Sequence, residues 1–338
     1  MNPPRILIVG AGAMGMVTGY YLSLAGVAVT FYVRPARLAE LHGPQRLYCY
    51  DDATLKEFSN YQVITTIAAA AEQPYDYVLI TLDGAACRTD DGSALLRNLG
   101  NVIQNTSAQM LIGGVGVGLR EHFLETTGLH GDRLFHGVLG LLSHQVAAAQ
   151  LPVHPPTNPA LLSQASMAYR HFANQVGFSV ASPLTAQARA FAAAYNRSKV
   201  SRCAVMGMTT YNIMANAFFP LTAVCELAGW PGTDELLANK ELWPLCYKSI
   251  KEIVALPQHG MTGKLLSLAL GPMLVGKLVR KFERESRPLD FHQFHRFHHG
   301  AKVRAQDIQV MRNCLQSGES QGQQMPTLKR LIQRLNSV

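Results

Sequence analysis

The stretch Ile6-Leu7-Ile8-Val9-Gly10-Ala11-Gly12-Ala13-Met14-Gly15 constrains the rest of the chain more than any other. A run of aliphatic residues stops at Gly10 and a largely apolar pattern containing Met16, Tyr20, Tyr21 and Leu24 starts directly after it, which reads as strand, tight turn and helix. The three glycines stand at the spacing of a dinucleotide-binding turn. Gly10 permits the bend, Gly12 lets the backbone approach a pyrophosphate, and Gly15 lets the helix pack close to the strand. The free N–H groups of the new helix and the positive end of its dipole point at that phosphate, so Gly10, Ala11, Gly12, Ala13, Met14 and Gly15 form the expected cradle.

A second strand-like run, residues 27–33, follows within the length of one βαβ unit. It ends at Arg34, with Arg37 one turn on, where a protein selecting NAD carries Asp or Glu for the ribose 2′-hydroxyl. A guanidinium pairs with a phosphate and gains little from a neutral hydroxyl, so the expected cofactor is NADP.

At 338 residues the chain exceeds one ordinary domain, and the pattern predicts two: a Rossmann NADP-binding domain over 1–182 and a helical substrate and dimerisation domain over 183–338. Residues 75–82, 110–112 and 133–140 read as strands and 93–102 as a helix, which makes the first half an α/β sheet. The carboxyl ends of its strands carry Gly10, Arg34, Leu82-Asp83 and the glycine-rich run 113–118 with Gly114, which converge on one crevice in such a sheet. The pattern after the second strand, through Asp51, Asp52 and Lys56, reads as irregular. Residues 150–183, Pro-rich at first, read as a crossover and linker. From residue 186 the pattern is helical, over 186–216, 221–227, 233–256, 265–282, 303–315 and 328–335, and the second half reads as all-α.

The net charge of +8 is spread along the chain, with no basic block interleaved with aromatics. An anionic cofactor or small-molecule substrate accounts for it, and no nucleic-acid partner is expected. Six scattered cysteines without a C-x-x-C pair read as reduced thiols of a cytoplasmic protein. The N-terminus runs straight into a strand, leaving no room for a signal peptide. The most apolar region, 203–230, is interrupted by Tyr211, Asn212, Asn216, Pro220 and Glu226. It reads as a buried helix, so no membrane partner is expected.

Five motifs together resemble the ketopantoate reductases (2-dehydropantoate 2-reductases). They are Gly10 to Gly15, Arg34 after the second strand, Asp76-Tyr77-Val78-Leu79-Ile80-Thr81 as a fourth strand, Gly114-Val115-Gly116 after a fifth, and Pro220-Leu221-Thr222-Ala223. The resemblance implies an NADP-dependent enzyme with an N-terminal Rossmann domain and a helical C-terminal domain, and it allows a homodimer. It further implies hydride delivery from NADPH to a 2-oxo acid while a lysine donates the proton. The chain departs from the family where the chemistry sits: Asp83 replaces a lysine after the fourth strand, and Gly113 replaces an asparagine.

Two placements of the family's catalytic helix are open. Lys199 keeps the proton donor but puts Cys203 and Gly207 where asparagines are expected. Asn216 with Pro220-Leu221-Thr222-Ala223 keeps an asparagine and the tetrapeptide but turns the lysine into Asn212. On a continuous helix Lys199 and Asn216 stand about 25 Å apart and cannot serve one site.

The family's substrate-binding glutamate falls in the stretch Phe291-His292-Gln293-Phe294-His295-Arg296-Phe297-His298-His299-Gly300, which has no carboxylate between Asp290 and Asp307. A carboxylate-poor, cationic site is expected there. His295 and His299 share helical spacing but have no acidic or thiol neighbour in sequence to complete a metal set. Two functional readings result. One is an NADP-dependent reductase of a small oxo or hydroxy compound, its proton supplied by the histidine segment or Lys199. The other is a nucleotide-binding protein that uses NADPH as a structural or sensing ligand without catalysis.

Overall fold

The computed structural model describes residues 3–183 and 185–337. The chain divides into two compact units, Met1–Gly207 and Met208–Val338. The sequence-based division at 182/183 falls earlier, because a helix and a strand read there as part of the helical half stay with the first unit.

Among the described residues the first unit holds twelve strands: β1 (Arg5–Val9), β2 (Ala28–Tyr32), β3 (Gln45–Cys49), β4 (Thr54–Phe58), β5 (Gln62–Ile64), β6 (Tyr77–Ile80), β7 (Gln109–Ile112), β8 (Leu134–Leu139), β9 (Leu142–Gln145), β10 (Met167–Arg170), β11 (Val176–Ala181) and β12 (Arg202–Met206). Eight form one sheet in the order β12-β11-β8-β7-β6-β1-β2-β5. From β5 to β8 its strands run parallel; β11 is antiparallel to β8, and β12 follows β11. Ile6 to Val9 are all buried, as the continuous apolar run of a central parallel strand requires. The chain builds outward from β1 through β2 to β5, then returns to its other side at β6, which makes the carboxyl end of β1 the topological switch point.

β4, β3, β10 and β9 form a second, four-stranded sheet in that order. The helix Ala13–Leu24 lies between the two sheets and is buried along most of its length, which explains why its sequence is apolar all round. Tyr20 packs edge-on against Phe58, and Tyr21 against Tyr169 and His171.

A polar relay ties the second sheet to the far edge of the first. Asp51, after β3, accepts from the backbone N–H of His171 at 3.1 Å and from its Nδ1 at 2.7 Å, and it pairs with Arg170. His171 Nε2 lies 3.0 Å from Ser201 Oγ, which also meets Tyr195 OH at 3.2 Å. The order Asp, His, Ser is that of a nucleophilic triad. Here the serine is buried and shared with a tyrosine, so the arrangement works as an internal tie.

Three sequence-based readings are corrected in this unit. The stretch read as irregular holds β3, β4, β5 and the short helix Ile67–Ala71; the stretch 150–183 read as linker holds β10 and β11; and 186–216 is not one helix. It is the helix Thr185–Asn196, then β12, then the helix Met208–Ala217. The break comes where Lys199 takes a left-handed φ of 58° and its N–H bonds back to Asn196 O.

The second unit is helical. Leu242–Val254 is its central element and packs against Phe219–Leu227 and Pro326–Leu335, with Cys246, Ile253, Leu328 and Leu331 wholly buried. The expected helix 233–256 is two, because Asn239 accepts from the N–H groups of Glu241 and Leu242 and starts a new one. The expected helix 265–282 is also two, Gly260–Ala269 and Pro272–Ser286, parted at Gly271 and Pro272. All six cysteines are buried free thiols. Among the described residues no single helix is long and apolar enough to cross a membrane.

Candidate functional site

The turns after β1, β2, β6 and β7 leave the large sheet at one edge. Gly10 N–H donates to Tyr32 O at 3.0 Å, Thr81 N–H to Val9 O at 3.0 Å, and Gly113 N–H to Ile80 O at 2.8 Å. The convergence expected of Gly10, Arg34, Asp83 and the second glycine run is therefore present.

Each fingerprint glycine has a separate physical reason. Gly10 has φ +103°, and a Cβ there would lie 2.6 Å from Thr81 Oγ1, whose hydroxyl donates to Val9 O. A Cβ on Gly15 would lie 2.2 Å from Gly10 O, so the helix can approach the turn only without one. Nothing lies within 4 Å of a Cβ built on Gly12. That open face adjoins a helix whose N-cap offers no side-chain bond and whose first turn has no acid. The free N–H groups and the dipole suit a diphosphate, so the residues present fit a dinucleotide. Ala11 and Ala13 are buried beside the opening.

Arg34 is exposed just past β2 and makes no ion pair among the described residues, whereas Arg37 is held by Glu40 at 2.8 Å. Of these two guanidinium groups, Arg34 is the one without an acidic partner among the described residues. Asp83, where the resemblance places a lysine, accepts from Ala86 N–H at 2.7 Å and caps the turn after β6. The second glycine run is packed. A Cβ on Gly84 would lie 2.5 Å from Val115 O, and one on Gly114 3.0 Å from Leu82 O. At Gly113 a Cβ would sit 2.5 Å from Ile80 O and 2.9 Å from Met14 Cε, which leaves no room for the asparagine of the resemblance.

Lys199 is exposed and precedes β12. Because β11 and β12 run opposite to β8, the start of β12 lies at the same sheet edge as Gly10. It is five strands away in the sheet order, about 24 Å at ordinary strand spacing. A lysine side chain does not cover that distance.

In the helical unit, Asn216 is buried and Asn212 half-buried on the helix Met208–Ala217. Phe218, just after it, places its ring 5.2 Å from that of His295 and 5.5 Å from that of His299. The histidine segment is the helix Phe291–Phe297 followed by a π-turn, His298–Lys302. Such turns are uncommon and concentrate at functional sites.

The expectation of a carboxylate-poor segment is corrected. His299 Nδ1 donates to Asp307 Oδ2 at 2.6 Å, His292 Nε2 lies 3.5 Å from Glu283, and Arg304 Nε donates to Glu226 Oε1 at 2.6 Å. The π-turn brings the next helix, Arg304–Ser320, back onto the histidines, so its first-turn acid serves them. Burial raises the Asp307 carboxyl above its ordinary pKa, and the hydrogen bond and charge of His299 offset this only in part. Burial and neighbouring histidines hold His295 neutral; burial, His299 and Lys302 push His298 down to about 3. A groove of about 690 Å³ lined by Glu226, Arg304, Arg312 and Asn336 opens nearby, and a smaller recess sharing Glu226 and Arg304 reaches Thr222, His299 and Asp307. Asp307 is the functional candidate missed from sequence. Its signal was present, since it is the first acid after the histidines and lies two helical turns beyond His299.

Residues 6–112 match the family model of the ketopantoate reductase PanE/ApbA. Among solved structures, 2-dehydropantoate 2-reductase from Geobacter metallireducens GS-15 is similar with a TM-score of 0.68 at 18% identity, covering 98% of this chain and 99% of that one. The enzyme of the same name from Methylococcus capsulatus gives 0.68 at 16%, with 98% and 96% covered. D-mandelate dehydrogenase, in its ternary structure with NADH and anilino(oxo)acetate, gives 0.64 at 13%, with 98% and 97% covered. At these identities the likeness is one of fold. No curated protein matches the chain by sequence.

Proposed function

We propose, from the match of residues 6–112 to the ketopantoate reductase family model and the fold shared with the 2-dehydropantoate 2-reductases, an NADP-dependent enzyme that transfers hydride between NADPH and a small 2-oxo acid or related carbonyl. The observation that carries this reading is the open cradle at Gly12 beside an uncapped helix start, with unpaired Arg34 at the neighbouring strand tip. The backbone from Gly10 through Ala11, Gly12, Ala13 and Met14 to Gly15 holds the diphosphate, and Arg34 takes the 2′-phosphate. Leu82, Asp83 and Gly114 flank the nucleotide at the ends of β6 and β7. A nicotinamide nucleotide bound there supplies or accepts the hydride.

Of the candidates for the proton, Asn216 can orient a carbonyl but cannot itself be a strong acid. In the same helical unit as Asn216, His299 has its Nδ1 held by Asp307, which leaves Nε2 for proton exchange. Lys199, at the start of β12 three strands beyond β7, is the third candidate. Loss of NADPH absorbance with a panel of 2-oxo acids tests the reading, and turnover with at least one is expected. Arg34→Ala should weaken NADPH binding roughly ten- to a hundredfold, the worth of a charged hydrogen bond, and leave NADH binding almost unchanged. Equal losses for both nucleotides overturn the cofactor assignment.

A second reading, a non-catalytic NADPH-binding or sensing protein, is favoured by Asp83, whose carboxylate caps a turn where the resemblance places a lysine. Tight NADPH binding with no turnover on any panel member selects it.

A further inference from the structure

The segments Pro257–Ala269 and Pro272–Ser286 meet at a bend of 93°. Gly263, Ser267, Val275, Gly276 and Val279 face inward. On the outer side Met261, Leu265, Leu268 and Met273 are 66%, 62%, 77% and 80% exposed, with Leu266 and Leu274 beside them. Apolar side chains so exposed, gathered at one corner, mark a surface that meets something.

Charge identifies the occupant. No carboxylate occurs between Glu252 and Glu283, while Lys264, Lys277, Arg280 and Lys281 all lie in that interval. Arg280 is paired with exposed Asp234 at 2.8 Å and Lys281 lies 3.9 Å from Glu285; Lys264 and Lys277 make no ion pair among the described residues. A second copy docked on this corner about a two-fold axis would set lysines against lysines. An anionic lipid surface suits both halves of the pattern. The leucines and methionines enter the headgroup boundary, and the lysine ammonium groups stay with the phosphates. Neither helix is long enough to span, which agrees with a segment lying on the bilayer.

We infer that this corner docks the protein peripherally on an anionic bilayer surface. Flotation of the full chain with vesicles of phosphatidylcholine, with or without phosphatidylglycerol, tests it. The chain should float with the anionic vesicles. Roughly tenfold less should float with the neutral ones, or when Leu268→Glu and Met273→Glu are combined, and Lys264→Glu with Lys277→Glu should abolish the preference for anionic lipid. All four side chains are exposed, so the thermal midpoint should not move. Three results overturn the inference: no flotation with anionic vesicles, flotation that the Leu268 and Met273 variant leaves unchanged, or a dimer in sedimentation velocity that this variant dissociates while vesicle binding is absent.

Discussion

Gly12 and Gly15 stand three positions apart, yet substitution should separate them cleanly. A methyl group on Gly15 runs into the backbone oxygen of Gly10, so Gly15→Ala should cost about 1–3 kcal/mol of stability as well as nucleotide affinity. A methyl on Gly12 meets nothing in the chain. Gly12→Ala should leave urea unfolding within about 1 kcal/mol of wild type and still weaken NADPH in a binding titration, since that space is open in the chain and the proposed diphosphate would fill it. Asp307 provides a pH test. Its folded pKa is raised, so its contribution to stability is present in acid and is lost as pH rises from the unfolded value of about 3.9 through the folded one. Asp307→Asn should therefore flatten the pH dependence of the urea midpoint above pH of about 4. The glycines were legible in the sequence because their spacing encodes local backbone geometry. For Asp307 the sequence offered only its place as the first acid after the histidines, because its pairing with His299 is set by a π-turn that no local pattern announces.

Most of the elements missed from sequence have a remote partner, although β3 and β4 also pair with each other as a local hairpin. Leu47 of β3 lies opposite Met167 of β10, so β10 does not show why it is a strand until β3 is placed. β12 was concealed differently. The helix before it ends at Asn196 and the chain turns at a lysine in the left-handed region three residues on, without the glycine that usually signals a stop, and the apolar pattern runs on past it. What joins these elements is the tie through Asp51, His171 and Ser201. Ser201→Ala should cost about 1–3 kcal/mol by leaving His171 Nε2 and Tyr195 OH buried without their partner. Gly177→Ala should cost more, since its Cβ would lie 2.1 Å from Ser201 Oγ and 2.8 Å from Tyr195 OH. Burial raises the Asp51 pKa, but hydrogen bonds from His171 and Arg170 outweigh it and hold the carboxyl below its ordinary value. The tie is thus at full strength above the unfolded value of about 3.9 and fails as pH falls through the lower, folded one. Asp51→Asn should make acid unfolding below pH of about 4 less steep.

For the whole molecule, the first unit closes at Gly207. A fragment of residues 1–182 lacks β12 and the helix Thr185–Asn196, whose Phe191 and Tyr195 are wholly buried in the core of the large sheet. A fragment of residues 1–207 should therefore unfold cooperatively and bind NADPH, whereas 1–182 should show neither in thermal circular dichroism and titration. The α/β first half and helical second half were readable from the order of their apolar periods. The small sheet that covers the first helix was not. That cover has a consequence for how a ligand is received. With the helix Ala13–Leu24 gripped from above and below, its N-terminal amides are already aimed before any anion arrives. Capture should proceed at the pace of encounter without waiting for a loop to freeze, and amide hydrogens of residues 17–22 should exchange with deuterium as slowly in the empty protein as in the loaded one.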